Sequence, residues 1–389
     1  MSLQRSSFAR RPIVVRLVNV RTDRCSYPVS VGEDHTLLNA RRTYKRFLIL
    51  AVLILLGIAQ PAFSQVRYSV TELGILEQAS SSVVRGFNSA NEVVGGTIGF
   101  GRGKRAFLVT GGVAEDLEGF NGTDSSVALA INDDSAAVGF SNTASSVHAF
   151  VWTRKDGVLD LGTLPGDSGS QALGINRQNE VVGYSSGPGG VEAVMWTRDG
   201  RIQGLGRLRD GDYSRAFAIN QSGDVAGASG SPGADRAFLW TRNRGMEDLG
   251  VLPGSTESSA TGINNPGQVV GYSSTPTVTR AFLWSRNGGM EDLGTLPGGD
   301  FSRALAINEP GDIVGTSGSA LGARATLWPR SGGIQDLNEL IPAGSDFVLT
   351  QAVNINNPGT ILAIGRDDQG EVHDTHELPT RVFLLIPGS

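Results

Sequence analysis

His373 and His376 stand three residues apart in a stretch that also carries Glu371, Asp374 and Glu377. Imidazole and carboxylate at that density suit Zn²⁺ or a similar divalent ion, whose ordinary protein ligands are neutral ring nitrogens and carboxylate oxygens. A solvated polar loop has the same composition, so the stretch reads either as plain loop or as a metal or ligand site. It is the one cofactor the chain hints at. A second set of carboxylates, Asp124, Asp167, Asp212, Asp300 and Asp346, recurs on connections between repeating segments. These are the candidate ligand-binding residues, and carboxylates held ~5–10 Å apart could also do glycoside chemistry.

Other strings look chemical and are not. Gly183-Tyr184-Ser185-Ser186-Gly187 matches the nucleophile-elbow pattern, but no helix follows it, and that motif needs a strand–turn–helix context. Gly99 to Arg105 (GFGRGKR) lacks the spacing and the final hydroxyl of a phosphate loop. Five tryptophans, Trp152, Trp196, Trp240, Trp284 and Trp328, sit at one fixed position; packing between repeats explains them better than a ligand platform does. No catalytic residue is assigned.

The elements that must position these groups are set by a repeat. Asn88, Asn132, Asn176, Asn220, Asn264 and Asn308 are each 44 residues apart, and Asn356 follows after 48. Leu73 to Leu337 keep the 44-residue interval through seven leucines, and Gly95 to Gly315 through six glycines. Marks locked in phase over about 300 residues define seven copies of one supersecondary unit. The recurrent asparagine is expected to take the positive-φ turn conformation, with the lining of a polar channel as the other reading.

Each unit reads as four short strands. In one of them Ser214–Asn220, Asp224–Ser229, Arg236–Arg242 and Met246–Gly250 alternate or run apolar, divided by Asn/Gly turns. No segment beyond the leader shows helical periodicity. Four antiparallel strands in 44 residues make the blade of a β-propeller. A linear β-solenoid would use shorter coils and need caps at its ends. The expected fold is therefore all-β, a seven-bladed propeller over residues 65–389. The chain ends specify closure. Tyr68–Gly74 is a fourth strand with none before it, and Arg381–Ile386 is a third strand with no fourth after it, so the N-terminal strand is expected to complete the last blade. Up-and-down topology then puts the second-to-third-strand loops and the connections between blades on one rim. Blade seven is longer in both places, around Ile341–Asp346 and Arg366–Thr380.

Residues 1–64 stand outside the repeat. A basic run (Arg41, Arg42, Lys45, Arg46) precedes an apolar core, Phe47–Ala59, too short for a comfortable membrane span. Ala62-Phe63-Ser64 then offers small residues before Gln65, the layout of a secretory signal cleaved near Ser64/Gln65. The 40 residues ahead of the basic run are odd for a signal, and a start placed too far upstream is the simplest reading. The only cysteine, Cys25, lies in the leader, so the exported part has no thiol chemistry. That part keeps 23 basic and 35 acidic residues, a net charge of −12, which repels nucleic acid and anionic lipid and discounts both as partners.

His148-Ala149-Phe150-Val151-Trp152, with Arg-Ala-Phe-Leu-Trp at 236–240 and 280–284, accompanies "DLG-LPG" and "G-IN--G-VVG" segments. This pattern resembles the HAF-repeat family of bacterial extracellular proteins over Leu73 to Leu385. Val109 and Leu385 replace the tryptophan in the first and last copies. The resemblance implies secretion and a propeller-like repeat, and no defined activity. The function expected is a secreted, non-catalytic, monomeric propeller whose rim loops contact an extracellular glycan, peptide or surface protein, with no membrane span after signal removal. The alternative is a secreted hydrolase or lyase with acidic residues at the channel mouth.

Overall fold

The computed structural model describes residues 68–73, 79–99, 104–120, 125–209, 211–231, 233–368 and 381–388. All but one short 3₁₀ turn, Leu337–Glu339, of the regular structure there is β. After β1 (Tyr68–Glu72) come β2 (Ala79–Phe87), β3 (Val93–Gly99), β4 (Lys104–Thr110) and β5 (Val113–Asp116), one antiparallel sheet. The next is β6 (Ser126–Ile131), β7 (Ala137–Asn142), β8 (Val147–Thr153) and β9 (Gly157–Asp160). β10 (Gly169–Ile175), β11 (Val181–Gly187), β12 (Gly190–Trp196) and β13 (Ile202–Gly206) follow, then β14 (Tyr213–Ile219), β15 (Val225–Gly230), β16 (Arg236–Thr241) and β17 (Gly245–Asp248). A single parallel pair, Val191 with Tyr213, joins these two groups into one eight-stranded sheet. β18 (Glu257–Ile263), β19 (Val269–Ser274), β20 (Thr279–Ser285) and β21 (Gly289–Asp292) form another sheet, as do β22 (Ser302–Ile307), β23 (Ile313–Ser319), β24 (Gly322–Trp328) and β25 (Gln335–Asp336). The last contains β26 (Phe347–Ile355), β27 (Ile361–Asp367), β28 (Arg381–Pro387) and β1.

The first strand of each group contacts the first strand of the next, from β2 through β6, β10, β14, β18 and β22 to β26, and β26 contacts β2. Fourth strands barely touch one another. First strands are thus innermost, and the up-and-down order puts first-to-second and third-to-fourth turns at one end, the remaining connections at the other.

The repeated glycine of the second strand has a steric cause. Five first strands shift register at one point, as between Ala128 and Ala130 or Ala216 and Ala218. The bulge pushes a carbonyl toward the facing strand. A Cβ on Gly139, Gly183, Gly227, Gly271 or Gly315 would lie 1.9–2.0 Å from that oxygen, closer than any real contact. Opposite, the third strand supplies the bulk: Phe150, Phe238, Phe282 and Phe383 are fully buried. Trp152 packs with Val94, Ala106 and Leu108 of the preceding sheet, and Trp196 with Val138 and Ala149. Small residues inside and large ones further out give each sheet a wedge-shaped packing face.

β1 pairs antiparallel with β28, from Tyr68 opposite Pro387 to Glu72 opposite Phe383. Tyr68 and Leu73 are buried in two different apolar clusters, one on each side of this last sheet. Burial, then the negative charge of Asp312, pushes the Tyr68 hydroxyl up to about 12. Arg381 binds Glu72 through two nitrogens at 2.7 and 2.8 Å and also reaches Asp367 at 2.9 Å. Deleting Gln65–Gly74 removes the strand hydrogen bonds and two buried side chains, each worth roughly 1.5–3 kcal/mol. Urea unfolding of the truncated protein should show about 3–6 kcal/mol less stability than residues 65–389; an unchanged midpoint would mean that this pairing contributes nothing.

Candidate functional site

Each innermost strand ends in the repeated asparagine, and there the structure departs from the sequence expectation. The asparagine does not take positive φ. The residue three further on does: Asn91 (61°), Ser135 (60°), Asn179 (59°), Gly223 (79°), Gly267 (77°), Gly311 (97°) and Gly359 (89°). The asparagine is freed for another task. Its Oδ1 accepts backbone N–H groups of its own turn, such as Ser222 and Asp224 on Asn220. Its Nδ2 donates to the carbonyl of the asparagine in the next sheet. Asn88 donates to Asn132, Asn132 to Asn176, Asn176 to Asn220 and Asn220 to Asn264, at 3.0–3.2 Å. Asn264 donates to Asn308, Asn308 to Asn356 and Asn356 to Asn88, at 3.2–3.3 Å.

The second Nδ2 proton is also placed. Where the residue four ahead carries a carboxylate or amide oxygen (Glu92, Glu180, Asp224, Gln268, Asp312), the amide donates to it. Asn132 and Asn356 are followed there by Ala136 and Thr360, and they donate instead to Asn179 and Asn91 of the neighbouring turn. All seven are 1–6 % exposed and saturated, so the amides themselves are not available to a ligand.

The residues one step on form an outer polar tier. The N–H of Ser89 donates to Asp133, Arg177 to Gln221, Gln221 to Asn265, Asn265 to Glu309 and Glu309 to Asn357, at 2.8–3.0 Å. Arg177 cannot accept; its guanidinium reaches back to Asp133. Burial pushes the Asp133 carboxyl up, but the Ser89 N–H and Arg177 outweigh it and hold it below the usual carboxylate value. A cavity of about 140 Å³ opens between the tiers, lined by Phe87, Ile131, Ile175 and Ile355 together with Ser89, Arg177, Gln221 and Asn357. It offers hydrogen bonds and one ion pair, the equipment of recognition.

Of the five repeated aspartates expected from the sequence, the four that are described lie at the opposite end. Asp167 accepts from Ser185 Oγ at 2.7 Å. Asp346 is exposed, 3.3 Å from Arg381. Asp212 and Asp300 are exposed, engaged through their backbones with Gly230 and Arg280. Asp124 lies outside the described residues, as do Glu371, Asp374, His373, His376 and Glu377. Among the described residues no three His, Cys, Asp or Glu side chains come together to hold a metal ion.

The serines that sequence reading passed over are structural. Ser126, Ser170, Ser214, Ser258 and Ser302, 44 residues apart, each accept an alanine N–H from the third strand of the preceding sheet at 2.8–3.0 Å. The first four also donate to a carbonyl at or just past the end of its fourth strand. A second series, Ser141, Ser185, Ser229, Ser273 and Ser317, is fully buried and anchors the connection between sheets. Ser185 of the elbow-like string belongs to it, and the only described histidine, His148, is paired elsewhere with Asp160 at 2.8 Å. A 44-residue serine recurrence in phase with the asparagine was the available signal.

Antiparallel four-stranded sheets whose first strands meet at the centre define a propeller-like all-β fold. Solved structures similar to the chain agree. A catalytically inactive variant of virginiamycin B lyase from Staphylococcus aureus, crystallised with quinupristin, matches at 13 % identity and TM-score 0.52, covering 82 % of this chain and 99 % of that one. A puromycin-hydrolysing peptidase of Mycobacterium tuberculosis matches at 13 % identity and TM-score 0.52, over 78 % of this chain and 52 % of its own. At such identity the likeness shows the fold alone. No family model and no curated protein matches the sequence.

Replacing one circuit asparagine orphans a buried carbonyl and two turn N–H groups, each costing about 1–3 kcal/mol. Asn220→Ala should lower stability by about 3 kcal/mol in urea, while Ser222→Ala in the same turn, exposed, changes it by under about 0.5 kcal/mol. Equal small losses would remove the circuit's energetic role.

Proposed function

We propose that residues 65–389 form a closed seven-bladed β-propeller of the HAF-repeat type, exported after cleavage near Ser64/Gln65, that works as a non-catalytic binding module. The seven-step asparagine relay and the pairing of β1 with β28 support the blade count and the closure. Among the described residues no helix is long and apolar enough to cross a membrane.

One observation carries the binding reading. The repeated polar groups of the inner strands and their neighbours, the asparagines and serines, are buried and consumed in bonds between sheets. What is left for a partner is the polar tier at one end and the connections at the other, both on a rigid frame. The partner is an extracellular glycan, peptide or surface protein. A hydrolase or lyase at the channel mouth is the competing reading, and the lyase and peptidase likenesses, at 13 % identity, add nothing to it beyond fold.

Probing glycan and peptide arrays with residues 65–389 tests this. The expected outcome is selective retention of one ligand class, recovered unaltered in mass. A cleaved or eliminated product would overturn the non-catalytic reading.

A further inference from the structure

Arg215 and Arg303 break the pattern of their neighbours. They occupy equivalent places on β14 and β22, facing Ala228 and Thr316 across the first strand pair. Both lie near the strand start, at the end of the molecule away from the asparagine circuit. Several arginines are matched to carboxylates, Arg105 to Asp116 or Arg242 to Glu180 for example. Arg215 and Arg303 are exposed and have no carboxylate or carbonyl partner among the described residues. The carboxylates beside Tyr213, Asp235 and Glu257, act on that hydroxyl rather than forming an ion pair with Arg215.

What holds the two arginines is aromatic. The Arg215 guanidinium lies 5.2 Å from the Tyr184 ring centre and 5.4 Å from that of Tyr213. Arg303 lies 4.9 Å from the Tyr272 ring centre. Tyr184 and Tyr272 come from the second strand of the preceding four-strand group, so the same device recurs two repeats apart. Attraction to a ring face holds the guanidinium near it and uses none of its N–H donors. A planar donor fork held in place and unpaired is a receptor for a carboxylate, which it binds through two parallel hydrogen bonds. Gln171 and Gln351 stand at the matching places on β10 and β26, their amides without partners among the described residues. Amides and tyrosine hydroxyls beside a guanidinium fit sugar hydroxyls beside a carboxylate.

We propose that this end of the inner strands binds a carboxylate-bearing saccharide, with Arg215 and Arg303 taking the carboxylates. This rests on the binding-module reading and names its ligand class. Calorimetric titration of residues 65–389 with trigalacturonate at low salt tests it, beside the methyl-esterified trimer and triglutamate. Trigalacturonate should bind and the ester should not. Arg215→Gln and Arg303→Gln should each weaken binding at least tenfold, and Arg215→Lys should weaken it too, because the fork is lost while the charge stays. Arg198→Gln, an exposed charge at the other end, should change nothing. Thermal melting of each variant separates lost binding from lost folding. No heat from trigalacturonate, or equal affinity in the Gln variants, overturns the proposal. Triglutamate binding equally well with the same arginine dependence overturns its saccharide part. Should the array yield a ligand indifferent to both arginines, this site falls and the binding module stands.

Discussion

A side-chain amide donating to the main-chain carbonyl of the same residue one repeat ahead is the constraint on which the rest depends. The donor and acceptor belong to one residue type at one turn position, so every sheet must present both at the same height and spacing. That is why the period is rigid. The single irregular interval, 48 residues between Asn308 and Asn356, is absorbed before β26, in the connection containing the 3₁₀ turn. The hydrogen bond across it, 3.3 Å, equals the one before it. A buried polar group left unpaired is costly, so the fold tolerates insertion in the connection and not in the relay.

Around this inner tier the remaining small residues serve approach and the large ones fill. The second-strand glycines admit a bulged carbonyl, the serines stitch one sheet's third strand to the next sheet's first, and phenylalanine and tryptophan occupy the broader space further out. The two repeated series, asparagine and serine, are short and neutral, with nearly fixed geometry, which suits buried positions where charge would need a partner. The charged residues are left to the ends and the outer strands.

Much of this was legible in the sequence. The four-strand unit follows from alternation and turn residues, and the observed pairing of Tyr68–Glu72 with Phe383–Pro387 is where an unmatched fourth strand has to go. The asparagine was misjudged because a local view of Asn followed by Gly favours a positive-φ turn. Nothing within a few residues reveals that its amide reaches a carbonyl 44 positions away. The serines were hidden for the same reason, since each bridges 21 residues to its donor. The aspartates of the connections were grouped by position, but Asp167 is held by a buried serine and Asp346 by Arg381. The contacts of Arg215 with Tyr184 and of Arg303 with Tyr272 join different repeats, and one sequence shows no pairing between them.

Native-state hydrogen exchange, read peptide by peptide, tests the closed relay most directly. A stack open at its ends frays from them, so the terminal sheets exchange fastest and protection rises toward the middle. A relay that returns to its start has no end. The amides of β2 and β26 should then be as protected as those of β14, within about 1 kcal/mol of opening free energy. Protection that climbs steadily from β2 and β26 toward β14 would contradict it.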